Sequence, residues 1–201
     1  MRLQRPGHAW VALCLLAAAL AGLAYPLQRD VLDWQPGLAA AQPWRWWSAG
    51  LVHLSALHLG ANLAGTALVA ALGWVGRVPW RSTLAWALAW PLTHLALLVR
   101  PELTHYAGLS GVLHAGVAVA ALTLCVEAAG RTRFIALALL AGLLAKVLSE
   151  APWGPVLRHA PGWDIAIAPL AHATGTAAGL LCAAVMLGLS RGRQAAGARR
   201  A

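Results

Sequence analysis

A serine and a histidine each stand in a run of small residues, Gly108-Leu109-Ser110-Gly111 and His172-Ala173-Thr174-Gly175-Thr176-Ala177-Ala178-Gly179, inside stretches otherwise apolar enough to lie in lipid. Lipid penalises polar side chains, so a hydroxyl and an imidazole beside close-packing glycines point to more than packing. A serine hydroxyl becomes a strong nucleophile when a neighbouring base takes its proton, and histidine is the commonest such base. Ser110 as nucleophile and His172 as base would suit hydrolysis of a peptide bond within a membrane.

Other polar groups fall where that chemistry needs them. His58 and Asn62 are four residues apart and share a helix face, as do Ser110 and His114. At about 1.5 Å per residue, counting from Arg77, Arg131 and Arg191 puts His58, Ser110 and His172 at roughly 28 to 31 Å, one common level. A tetrahedral intermediate needs hydrogen-bond donors, which Asn62, His58 and the amide of Ser110 could supply. Gly175 and Gly179 would let two helices approach until His172 reaches Ser110. No span carries an Asp to orient the histidine, so a Ser–His dyad is expected, not a triad. His53, five before His58, faces elsewhere or belongs to the preceding loop.

The elements that must position these groups follow from composition. The chain has 201 residues, 60% apolar and 10% charged, which selects a multi-spanning membrane protein over a soluble domain. A net charge of +9 could suit nucleic acid, but the arginines separate apolar runs and form no stripe with interleaved aromatics. Cys14, Cys125 and Cys182 lie within apolar runs and match neither a disulfide framework nor a metal motif. No cofactor pattern is present.

Six stretches are apolar enough to cross a bilayer: 9–27, 50–74, 82–99, 108–128, 134–150 and 166–189. The first is too long for a signal peptide's apolar core and reads as a retained helix. The chain is therefore expected to be one all-α membrane domain, residues 1–201, with a basic cytoplasmic tail at 191–201. Arg2, Arg5, Arg77, Arg81, Arg131, Arg133, Arg191, Arg193, Arg199 and Arg200 fall on one side of a six-span arrangement. Arg29, Arg45, Arg100 and Arg158 fall on the other, which places both termini in the cytoplasm. Trp34, Trp44, Trp46, Trp47, Trp153 and Trp163 then suit an outer interfacial belt, with the Trp44–Trp47 cluster among the headgroups.

The motifs His53-x4-His58-x3-Asn62, Gly108-Leu-Ser110-Gly111 and Ala171-His172-x2-Gly175-x3-Gly179, in that order, resemble those of the rhomboid intramembrane serine proteases. Trp44-Arg45 is similar to the family's Trp-Arg pair, and the resemblance runs from Pro43 to Leu189. It implies a six-helix bundle whose cavity opens on the outer face of a bacterial inner membrane and holds the Ser110–His172 dyad. Many rhomboids carry an aromatic residue four after the serine, where it stacks on the histidine. Here that position is His114, and the segment 108–114 looks like the rhombosortase subgroup. That likeness implies single-pass membrane substrates with a C-terminal Gly-Gly motif, an apolar helix and a basic tail.

Rival readings are weaker. Lys146 could replace His172 as base, but counting from Arg133 leaves it roughly 20 Å up, short of Ser110. His53 reads as an anchor for the first loop, and His94 and His105 as structural. No HExxH helix is present for metal, and each Asp lies outside the spans. A non-catalytic rhomboid-like binder would be expected to lack the serine or histidine. A transporter would place its polar groups near the midplane.

Overall fold

A computed structural model describes residues 6–27 and 29–198. Arg2, Arg5, Arg199 and Arg200, four of the arginines that set the expected orientation, lie outside the described residues, as does the end of the expected basic tail. The described chain is mostly helical: α1 His8–Ala24, α2 Arg29–Leu32, α3 Arg45–Ser48, α4 Ala56–Val75, α5 Trp80–Leu95, α6 Ser110–Glu127, α7 Gly130–Ser149 and α8 Pro169–Ala198. Two short strands, β1 Arg158–His159 and β2 Ala166–Ile167, pair antiparallel between α7 and α8.

Local chemistry sets the helix ends. Ser55 caps α4, its hydroxyl accepting the His58 N–H at 3.1 Å. Pro169 opens α8, where its missing N–H costs nothing. The α4 start corrects the expected span 50–74: residues 49–51 form a 3-10 turn and the helix begins only after Ser55. Among the described residues five segments are long and apolar enough to cross a membrane, namely Ala56–Val75, Trp80–Val99, Ser110–Glu127, Gly130–Ser149 and Pro169–Gly192. The expected first span, 9–27, is realised as a helix of only 17 residues.

Helix α6 is the axis of the bundle and α7 its periphery: 67% of the α6 span is buried inside the protein, against 17% for α7. Small residues bring α6 and α8 together. A Cβ on Gly175 would overlap the Gly111 carbonyl, and one on Gly179 would overlap the Ala115 carbonyl. A Cβ on Gly111 would in turn lie 2.7 Å from the Ala171 carbonyl oxygen. Helix α1 docks through Trp10, which lies over Gly73, donates to the Val69 carbonyl at 2.8 Å and stacks on Trp86 at 4.6 Å. Trp86 donates onward to the Val112 carbonyl of α6 at 2.8 Å, so both of these buried indole N–H groups are satisfied.

The segment between α1 and α4 is organised by Arg45. Its guanidinium donates to the Asp33 carbonyl at 2.6 Å, the Asp33 carboxylate at 3.0 Å, the Asp30 carbonyl at 2.7 Å and Gln42 Oε1 at 2.6 Å. Two tryptophan expectations change accordingly. Arg45 is buried, so the Trp44–Trp47 cluster is split, with Trp44 and Trp47 exposed on either side of a buried cation. Trp34 is no belt residue: it is fully buried, and its backbone pairs with that of Tyr106. Trp153 and Trp163 are exposed, as an interfacial role requires.

Two outcomes check this packing. Gly175→Val should destabilise the bundle by about 1–3 kcal/mol, the usual cost of overpacking a tight contact. Gly142→Ala, on an open face of α7, should leave the thermal unfolding midpoint in detergent nearly unchanged. Arg45→Ala should be worse than either, by about 3–5 kcal/mol, because it removes the cation from the buried Asp33 carboxylate and the donor from the Asp33 and Asp30 carbonyls.

Candidate functional site

Helices α4, α6 and α8 begin, and α7 ends, at the same end of the bundle. A cavity of about 460 Å³ lies between them, lined among others by His58, Asn62, Ser110, His114, Lys146, Glu150 and His172. Leu54, Leu157, Ile165 and Ile167 give it apolar walls. Three helix N-termini facing one cavity supply free N–H groups and positive partial charge, which favours any anion formed there.

Ser110 is the first residue of α6, so its own amide has no intrahelical acceptor. The preceding turn is fixed at Gly108. Its N–H donates to the Ala49 carbonyl at 3.0 Å, its carbonyl accepts from the Tyr106 hydroxyl at 2.9 Å, and its φ of +125° is one that favours glycine. Glycine is also needed for space, since a Cβ there would lie 2.5 Å from His58 Nε2 and 3.8 Å from Asn62 Nδ2. Burial pushes the Tyr106 phenol above its ordinary range, so it remains the neutral donor this turn requires.

His172, on the first turn of α8, reaches across the glycine contact. Its Nε2 lies 3.0 Å from Ser110 Oγ. The ring is stacked on His114, with centroids 4.2 Å apart and planes within 10°. His114 donates its Nδ1–H to the Ser110 carbonyl at 2.7 Å, which locks the stacking ring to the turn carrying the serine. His58 Nδ1 accepts the Leu54 N–H at 3.3 Å, so a neutral ring carries its proton on Nε2, the nitrogen facing Gly108. His58 Nε2–H and the Asn62 amide are thus donors beside the serine. The arrangement can pass the Ser110 proton to His172 and offer hydrogen bonds to an oxyanion.

His53 stands apart from the cavity lining. It is buried in the loop before α4, donates to the Leu51 carbonyl at 3.0 Å and meets the His58 ring edge-on at 4.9 Å. His94 is also buried and structural, bonded to the Trp46 carbonyl at 2.6 Å. His105 lines the cavity, and its Nδ1 lies 2.7 Å from Asp33 Oδ2, a contact that ties the loop before Ser110 to the first loop. Trp44 donates to the Val31 carbonyl at 3.2 Å and, with Arg45, shapes the loop instead of the site. Among the described residues no group of His, Cys, Asp or Glu is arranged to hold a metal ion.

A carboxylate that the expected dyad did not include also reaches His172. Glu150 Oε2 lies 2.6 Å from His172 Nδ1, extending the Ser110–His172 contact to a third residue. Lys146 joins the same contact. Helical counting leaves Lys146 too low, yet it lines the cavity, with Nζ 2.7 Å from Glu150 Oε1. Burial raises the Glu150 carboxyl, but the hydrogen bond and charge of His172, aided by Lys146, outweigh it and hold the group at about 2. Glu150 sits just past the end of α7 and is therefore an anion throughout the neutral range. The sequence does carry a signal for it: Lys146 and Glu150 have the i, i+4 spacing of a helical ion pair next to a span's end.

If His114 fixes His172 by stacking, His114→Ala should lower the reactivity of Ser110 toward a fluorophosphonate probe without changing the fold, whereas His94→Ala should act mainly on stability. Equal labelling rates for His114→Ala and the unaltered protein would reduce His114 to a wall of the cavity. Sequence comparison finds no matching family model and no matching curated protein.

Proposed function

We propose that this protein is an intramembrane serine endopeptidase of the rhomboid type. The observation that carries the reading is the 3.0 Å approach of His172 Nε2 to Ser110 Oγ inside a cavity at the end of an apolar helical bundle. In the proposed reaction His172 takes the Ser110 proton as Oγ bonds to the scissile carbonyl carbon. The carbonyl oxygen becomes an anion held by Asn62, His58 and the Ser110 amide. Collapse breaks the carbon–nitrogen bond, and His172 returns its proton to the leaving amine. Water then repeats the sequence on the acyl-enzyme, releasing the acid and restoring Ser110.

The proposed architecture is a six-span rhomboid-like bundle in a bacterial inner membrane, with α1 as a short first span of roughly 25 Å. Both termini would be cytoplasmic and the cavity would open to the periplasm. The stacking of His114 on His172 supports assignment to the rhombosortase subgroup, since His114 fills the place of the family's usual aromatic partner. Substrates would then be single-pass proteins with a Gly-Gly pair beside a C-terminal apolar helix. Such a pair unwinds cheaply because glycine favours helix poorly, and scission needs an extended backbone.

Purified protein incubated with a Gly-Gly-tailed membrane substrate should cleave it, and Ser110→Ala and His172→Ala should abolish cleavage while the bundle stays folded. Asn62→Ala should slow cleavage by about 10- to 1,000-fold, since other donors remain. Retained cleavage by Ser110→Ala would sink the serine-protease reading. Replacing both substrate glycines by leucine should suppress cleavage; an equal rate would remove the rhombosortase assignment alone. Reporter fusions after Arg81, Arg133 and Arg193 should read cytoplasmic, and fusions near Arg100 and Trp153 external. A cytoplasmic signal at Trp153 would break the six-span topology.

A further inference from the structure

Glu150 holds a position that the Ser–His pair alone does not explain. It caps α7, the least buried span, yet its carboxylate is aimed inward at the histidine. Two hydrogen bonds and a turn fix it there. Lys146, one turn earlier, donates to Oε1 at 2.7 Å, leaving Oε2 for His172. Arg158 on β1 donates to the Glu150 carbonyl at 2.6 Å, tying the helix end to the strand pair. The next residue, Ala151, turns the chain with φ at +49°, a left-handed conformation that costs a non-glycine residue energy. Backbone strain of this kind persists where surrounding contacts over-determine the conformation.

We propose that Glu150 is the positioning residue for His172, making the site a Ser110–His172–Glu150 triad with its acid supplied from α7. This rests on the serine-endopeptidase reading and deepens it. A carboxylate can only accept, so the neutral ring donates Nδ1–H to Glu150. That tautomer leaves the Nε2 lone pair directed at Ser110 Oγ. When Nε2 takes the hydroxyl proton, Nδ1–H stays where it is and the resulting imidazolium faces an anion. Glu150 therefore accepts no proton at any step; it fixes the tautomer and stabilises the charge that appears on the ring. Lys146 keeps one carboxylate oxygen occupied and so limits the carboxylate's rotation.

The other ionisable groups around the ring do not substitute for it. His58 on α4, His114 on α6 and Lys146 on α7 share the cavity with His172, and none of them can bring an anion to its Nδ1. Asp164, between the strands, accepts from the Ser55 hydroxyl at 2.8 Å and so is turned toward the cap of α4.

The test compares the unaltered protein, Glu150→Gln and the surface control Glu102→Gln, using fluorophosphonate labelling of Ser110 and cleavage of the Gly-Gly-tailed substrate. Glutamine can present its amide N–H to Nδ1 and so favour the wrong tautomer. Glu150→Gln should lower kcat and the labelling rate by about 10²- to 10⁴-fold with KM little changed. Glu102→Gln should match the unaltered protein in each respect.

If Glu150→Gln proves too unstable to purify, ring-¹⁵N histidine NMR on the unaltered protein decides the matter. At mildly alkaline pH the resonance lost in His172→Ala should report a proton on Nδ1. A proton on Nε2, or equal labelling rates for Glu150→Gln and the unaltered protein, would overturn the triad. Absence of labelling and cleavage in the unaltered protein would instead overturn the endopeptidase reading beneath it.

Discussion

The close approach of α6 and α8 is the constraint on which the rest of the structure depends. Ser110 and His172 are each the property of one helix, and their 3.0 Å separation is set by how near the two backbones come. With Gly175 against the Gly111 carbonyl and Gly179 against that of Ala115, there is no room for a side chain at either contact. Close packing of this kind is won through dispersion and small-residue complementarity, which operate in lipid where the hydrophobic effect between helices does not. The indole ladder from Val69 through Trp10 and Trp86 to Val112 secures a second flank of α6. The central helix is thereby held to α8 on one flank and to α5 on another, and the serine at its tip is placed by both.

A second level of order lies in the loops. The buried Arg45–Asp33 pair gathers the segment before α4, and Asp33 also meets His105. From His105 the chain passes through Tyr106 and Ala107 to the turn at Gly108. The Trp34–Tyr106 bridge runs alongside, and Tyr106 in turn holds the Gly108 carbonyl. A cation far from the reacting atoms is thus connected, through backbone hydrogen bonds, to the turn that presents Ser110. Buried polar networks stay folded only when nearly every member is satisfied, which accounts for the number of carbonyls Arg45 serves.

Much of this is legible in the sequence, because motif spacing and helical periodicity are local properties. Spacing alone assigns Ser110, His172, His58, Asn62 and His114 to three apolar helices, with His58, Ser110 and His172 at one level, and the cavity gathers all five. What eludes the sequence depends on where helices end and on chain reversal. Counting from Arg133 puts Lys146 too low, because α7 already begins at Gly130, whereas Arg131, the reference for Ser110, lies beyond the end of α6 at Glu127. Glu150 falls at the end of the expected span 134–150 with nothing to assign it to His172, because a residue at a helix terminus points wherever the turn beyond it directs. That turn is made by Ala151, not by a glycine that would have announced it. Trp34 looks interfacial by position, yet its burial depends on the returning segment at Tyr106, far along the chain. The burial of Arg45 is hidden in the same way, as its partners belong to an earlier stretch of the same loop.

The peripheral placement of α7 has a consequence for the surroundings of the molecule. With 17% of its span covered by protein, α7 in a bilayer has acyl chains as its main neighbours. The inclination of such a helix answers to hydrocarbon thickness, since a span adjusts to mismatch by leaning at modest cost. In the proposed membrane setting the carboxylate at its tip would follow such a lean only against the hold of Arg158 on the Glu150 carbonyl, while Ser110 and His172 sit beside the glycine seam. Acyl-chain length would then be a mechanical input to the spacing between an acid and an imidazole, with lipid among the parts that hold the two in register.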